Sequence, residues 1–142
     1  MRYLLVCLLV GMLSSLSGCG NGMPQTVKVT GKVTFDGKAP PGPGIVYFLP
    51  MEAAAGLPLR PATGDFGADG FYRTTTFEKD DGVMPGKYKM YIECWEQEPN
   101  MEGKAVKSHV PKKYQSAETA GFELDVTKAT KAKELNLDLA TK

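Results

Sequence analysis

The chain has 142 residues, enough for one ordinary domain and not comfortably for two. Its 17 Lys and Arg stand against 16 Asp and Glu, so no net field favours nucleic acid as a partner. It holds one histidine and three cysteines.

Arg2 precedes an apolar run over residues 3–13, which Ser14 and Ser15 close. A positive residue, an apolar stretch of roughly 7–15 residues and small residues behind it make a secretory signal. The run is shorter than the ~20 residues a membrane-spanning helix needs. The tetrapeptide that follows, Leu16-Ser17-Gly18-Cys19, resembles the bacterial lipobox, in which an aliphatic and two small residues precede a cysteine. That resemblance implies a diacylglycerol on the Cys19 thiol, cleavage before Cys19 and acylation of the new amino terminus. Each buried lipid methylene contributes about 0.8 kcal/mol, so two or three long chains hold a protein to a bilayer durably.

The expected organisation is a signal over residues 1–18, a tether over 19–25 rich in Gly, Asn and Pro, and one domain over 26–142. Losing residues 1–18 removes Arg2 and Cys7 and leaves 16 basic and 16 acidic side chains. With Cys19 given to lipid, Cys94 has no intramolecular partner, and a hydrophobic core must carry the fold without disulfides. One histidine and one cysteine then remain, too few for a nitrogen- or sulfur-ligated metal site.

Val27, Val29, Val33 and Phe35 alternate with Lys28, Thr30, Lys32 and Thr34, with Gly31 on the apolar face. Period two of this kind predicts a half-buried strand. Asp36-Gly37-Lys38 turns the chain, and the Pro- and Gly-rich 40–44 stretch breaks it. Residues 45–49 form a short apolar run, predicted to be a buried strand that Pro50 stops. Ala53, Ala54 and Ala55 lie between Pro50 and Pro58 and are too few to nucleate a helix.

Residues 60–66 and 71–77 flank Asp69-Gly70, a hairpin signal. After a polar turn at 78–82, the clearest strand covers 87–95. There Tyr88, Met90, Ile92 and Cys94 face one way, and Lys87, Lys89, Tyr91, Glu93 and Trp95 the other. Residues 96–115 are irregular, polar and lysine-rich. Phe122, Leu124 and Val126 predict a further strand, as do Leu135, Leu137 and Leu139. The tally is seven strands and no segment of helical period, which fits a two-sheet antiparallel sandwich.

The strand before Asp36-Gly37-Lys38, the hairpin over residues 65–71 and the Pro85-Gly86-Lys87-Tyr88 entry to the long strand recur in an order with a family likeness. Together they resemble the transthyretin-like, carboxypeptidase regulatory-like domains of small bacterial lipoproteins, over roughly residues 26–140. The resemblance implies an all-β, seven-stranded antiparallel Greek-key β-sandwich (transthyretin/prealbumin-like). It also implies an exported accessory or binding module without chemistry of its own or a cofactor. A related hydrolase branch relies on several histidines, whereas this chain has one.

Catalytic candidates are few. His109, the single histidine, sits in a polar loop far in sequence from Cys94, whose place on the apolar face makes it a small hydrophobe. Asp65, Asp69, Asp80 and Asp81 are oxygen donors of the kind a hard cation takes, but they lack EF-hand spacing, and Asp-Gly is ordinary turn chemistry. Glu78, Asp80 and Asp81 can be imagined as a glycosidase pair but lie in a polar turn. Lys104, Lys107, Lys112 and Lys113, with Tyr114, make the 96–115 loop basic, which suits anionic lipid or envelope polysaccharide, although Glu96, Glu98, Glu102 and Glu118 dilute the charge. Tyr91 and Trp95 are expected on the outer face, near Tyr47 or Tyr72, where aromatics can stack on sugars or form a protein interface.

The expected protein is therefore a lipid-anchored, extracytoplasmic module of the cell envelope, facing the periplasm or the cell surface. It binds or supports an envelope protein or polysaccharide, with membrane contact through Cys19. Its candidate partner surface is Tyr91, Trp95, Lys112, Lys113 and Tyr114. The alternatives are a carbohydrate-binding module using its exposed aromatics and a carboxylate- or metal-dependent hydrolase.

Overall fold

A computed structural model describes residues 22–96 and 106–141. The signal and lipobox, Lys104, Glu98 and Glu102 lie outside the described residues. The protein is all-β: β1 (Lys28–Phe35), β2 (Gly44–Ala53), β3 (Ala62–Phe66), β4 (Phe71–Thr75), β5 (Gly86–Cys94), β6 (Phe122–Val126), β7 (Ala132–Glu134) and β8 (Leu137–Leu139). A 3-10 turn, Lys112–Gln115, lies between β5 and β6.

The strands pair in the order β6-β5-β2-β3-β4-β1-β7, with β8 also on β1. All pairings are antiparallel except those of β7 and β8 with β1. The sheet nearly closes on itself, leaving a seam between β6 and the β7–β8 edge. Tyr114 bridges that seam: its ring stacks on Phe122 at 5.4 Å, and its hydroxyl accepts the Ala140 N–H at 3.2 Å. At the other end the Lys133 ammonium donates to the Asp125 carbonyl.

The alternations that predict strands also fill the core. Val29, Val33 and Phe35 of β1 and Tyr88, Met90, Ile92 and Cys94 of β5 are all buried. They join Val46, Phe48, Phe66, Tyr72, Leu124, Leu137 and Leu139 in one hydrophobic cluster. Asp36 and Gly37 take positive φ (49° and 72°), and Phe35 and Lys38 exchange both backbone hydrogen bonds across them. That is the tight turn whose backbone twist matches antiparallel strands.

Two expectations about strands need correction. β2 does not stop at Pro50 but continues to Ala53 through a register shift between Pro50 and Glu52. Pairing with β3 has ended at Phe48–Ala62, so the side of β2 facing β3 has no ladder there, and a residue without an N–H costs little. The last strand splits in two, giving eight strands among the described residues rather than seven. At the break, the Leu135 carbonyl accepts the Tyr72 hydroxyl at 2.6 Å instead of a strand partner. Gly31 makes the approach possible, because a Cβ there would collide with the Leu135 carbonyl and the Tyr72 hydroxyl.

Strand direction gives the molecule two ends. Residues 26–28, 54–61, 76–85 and 127–131 gather at one, where Thr26 donates to the Asp81 carbonyl and Val27 bridges Val83. Residues 36–43, 67–70 and 106–110 gather at the other. The nine residues of β5 separate the ends by roughly 26 Å, at about 3.3 Å per residue.

Candidate functional site

The outer face of β5 carries the first candidate surface. Tyr91 lies opposite Tyr47 in the β2–β5 register, and their rings stack 4.7 Å apart at 7°. Each ring therefore covers a face of the other. Burial, then a hydrogen bond with Glu93, pushes the Tyr47 hydroxyl up to about 12, and burial raises Tyr91 as well, so both phenols stay neutral. Trp95 follows on the same outer side, half-buried, with its backbone bridged to Ser108. Tyr72 does not join them: it is 1% exposed and belongs to the core. Tyr91 and Trp95 thus share a face without forming an open, flat platform.

Lys112 and Lys113 are exposed on the 3-10 turn, and the Lys113 ammonium lies 5.1 Å from the Tyr114 ring centroid. Tyr114 itself is buried in the seam, which removes it from the candidate surface. The sequence hid this because a lone tyrosine among lysines carries no periodicity. The segment holding these residues starts at Cys94, at the end of the molecule opposite Thr26.

Cys94 and His109 are distant in sequence and adjacent in space. His109 N–H donates to the Cys94 carbonyl at 2.8 Å, and Glu96 N–H donates to the Lys107 carbonyl, extending β5 as a short ladder. The Cys94 thiol, however, is wholly buried and points to the Gly42 carbonyl at 3.5 Å. Burial raises its pKa against the opposing pull of that hydrogen bond, so the sulfur is held as a thiol.

Among the acidic candidates, Asp81 is a structural cap. Its Oδ1 accepts from Thr76 N–H at 2.7 Å, and its Oδ2 from Phe77 and Glu78 N–H at 3.0 and 3.1 Å. Burial alone would raise its pKa, but this donation outweighs burial and holds the carboxyl below its ordinary range. A carboxylate with both oxygens so engaged is poorly placed for acid–base work.

Asp65, Asp69 and Asp80 instead line one open cleft of about 490 Å³ along β4, together with Phe71, Arg73 and Lys79. The Asp69 Oδ1 accepts the Phe71 N–H at 3.1 Å. Among the described residues, no group of three or more His, Cys, Asp or Glu is disposed to hold a metal ion, and no helix is long and apolar enough to cross a membrane. The sequence could not show this cleft. It depends on Asp65 pairing with Arg73 across two strands and on the 76–82 loop returning beside them.

No family model, curated protein or solved structure matches this chain. The functional reading therefore rests on its own residues and geometry.

Proposed function

We propose that the chain is an extracytoplasmic lipoprotein whose single β-domain binds or supports an envelope component without chemistry of its own. The observation that carries the reading is the Leu16-Ser17-Gly18-Cys19 tetrapeptide closing an apolar run, only seven residues before Thr26. A fully extended seven-residue tether spans at most about 25 Å. The tether enters the domain at the end containing Thr26, Gly82 and Thr127, and on this reading that end lies nearest the bilayer that holds Cys19.

The opposite end, with Lys112, Lys113 and the turn at Asp36, then faces away. This orientation argues against anionic lipid of the same bilayer as the target of the basic loop and favours a protein or polysaccharide beyond it. Either a periplasm-facing or a cell-surface location satisfies this arrangement.

The strand order supports the finer fold reading. β2, β3 and β4 follow one another by hairpins, and β5 returns through the 76–85 connection to lie beside β2. The order β5-β2-β3-β4 is that of a Greek key. On this reading the two layers of a transthyretin-like sandwich are β6-β5-β2-β3 and β4-β1-β7/β8, joined at one corner by the β3–β4 ladder, with β7 and β8 as one interrupted strand.

Detergent phase separation of the chain produced in a bacterial host tests the anchor. Wild type partitions into the detergent phase and Cys19→Ser into the aqueous phase. Equal partitioning of the two would overturn the lipoprotein reading.

A further inference from the structure

We infer that the cleft along β4 is a saccharide-binding site, with Phe71 as its stacking platform. This rests on the reading of the chain as a binding module and not on the lipid anchor.

Phe71 is 59% exposed, and its placement is dictated by the strand. Tyr72 takes the inward slot beside Phe48, so its neighbour must project from the opposite face. An aromatic ring held on a rigid strand, with its surface open, can take the apolar C–H face of a pyranose.

The surrounding charges define what else the ligand must offer. Asp65 and Arg73 are direct cross-strand partners on this outer face, yet the ion pair among the described residues is Lys87–Glu52, at the edge of another surface. Lys79 and Asp80 approach from the 76–82 loop and are likewise unpaired with the strand charges. Three carboxylates against two cations leave the cleft close to neutral, which suits neither a multiply charged anion nor a free cation. Ionised carboxylates only accept hydrogen bonds, and guanidinium and ammonium groups only donate them.

A ligand serving all of them must donate and accept from adjacent positions and carry no strong charge. Vicinal hydroxyls do both, and charge-assisted bonds to such groups are the strong ones. The volume of about 490 Å³ falls within the roughly 300–1,000 Å³ typical of small-molecule sites. Arg73 and Asp80 also line a second, smaller hollow of about 220 Å³ next to Lys28 and Thr30, which extends the path for further sugar units.

The test is calorimetric titration of the purified full-length chain, in a detergent without sugar headgroups, with chitotriose, maltotriose and cellotriose. At least one trisaccharide binds the wild type. Phe71→Ala weakens that binding at least tenfold, while Phe71→Trp retains it within threefold, because the larger ring still stacks. Trp95→Ala, on the other outer face, changes it by less than twofold. The side chain of Phe71 lies outside the core, so both of its variants keep the wild-type melting temperature. Absence of binding by all three sugars overturns the proposal. So does wild-type affinity in Phe71→Ala, loss of binding in Phe71→Trp, or loss in Trp95→Ala. None of these results bears on the detergent partitioning of Cys19→Ser, so the two readings fail separately.

Discussion

Replacing Tyr72 by Phe removes one oxygen from the point where the last strand breaks. The ring stays, 6.1 Å from Phe48, so no side-chain-sized cavity forms. What is lost is the 2.6 Å hydrogen bond to the Leu135 carbonyl, which sits over Gly31 with little room for a replacement donor. Losing such a bond and stranding a partly buried acceptor costs about 1–3 kcal/mol. For a domain of this size that corresponds to a fall in melting temperature of roughly 4–12 °C. Urea unfolding followed by intrinsic fluorescence should show a lower midpoint at unchanged slope. Gly31→Ala should cost more, because the added methyl expels the Leu135 carbonyl and with it the β1–β7 and β1–β8 pairings. Once that has happened, Tyr72→Phe has little left to remove, so the two changes should be strongly non-additive. A cost below about 0.5 kcal/mol for Tyr72→Phe, or simple additivity, would refute this account of the break.

Two further outcomes follow from groups near the cleft and in the core. Asp81 has a depressed folded-state pKa, so its stabilising contribution is present above its unfolded pKa, near 4, and is lost as pH falls through the folded value. Asp81→Asn should therefore be less stable than wild type at pH 7, and urea unfolding should show the gap closing between pH 5 and pH 2; a gap independent of pH would contradict the capping role. Cys94 is buried and held as a thiol, so in native protein carrying the proposed lipid on Cys19 a thiol-reactive dye should label no cysteine, and in guanidinium one per chain; rapid native labelling of Cys94 would contradict its placement.

The strand interiors were legible because their side chains obey period two against a single core. Alternation alone puts Tyr88, Met90, Ile92 and Cys94 on one face, and all four are buried. What escaped were features set by a neighbour rather than by the segment itself. Pro50 reads as a stop, but β2 passes through it because β3 has already ended alongside. Leu135 reads as part of a continuous strand, but a tyrosine 63 residues earlier captures its carbonyl. Tyr114 reads as a surface residue among lysines, yet it fills the seam between β6 and β8. The order of Phe71 and Tyr72, one outward and one inward, is decided by the register with Phe66, which is not a local property. Turn aspartates likewise look alike in sequence, and pairing separates the structural Asp81 from Asp65, Asp69 and Asp80 in the cleft.

The central claim is that a lipid on Cys19 holds this domain at an extracytoplasmic membrane surface. Mass spectrometry of the amino-terminal peptide, from protein recovered in the envelope of a bacterial host, tests it most directly. The account predicts a chain beginning at Cys19, carrying the mass of a thioether-linked diacylglycerol, with residues 1–18 gone. An unmodified Cys19, or a chain that retains residues 1–18, would contradict it.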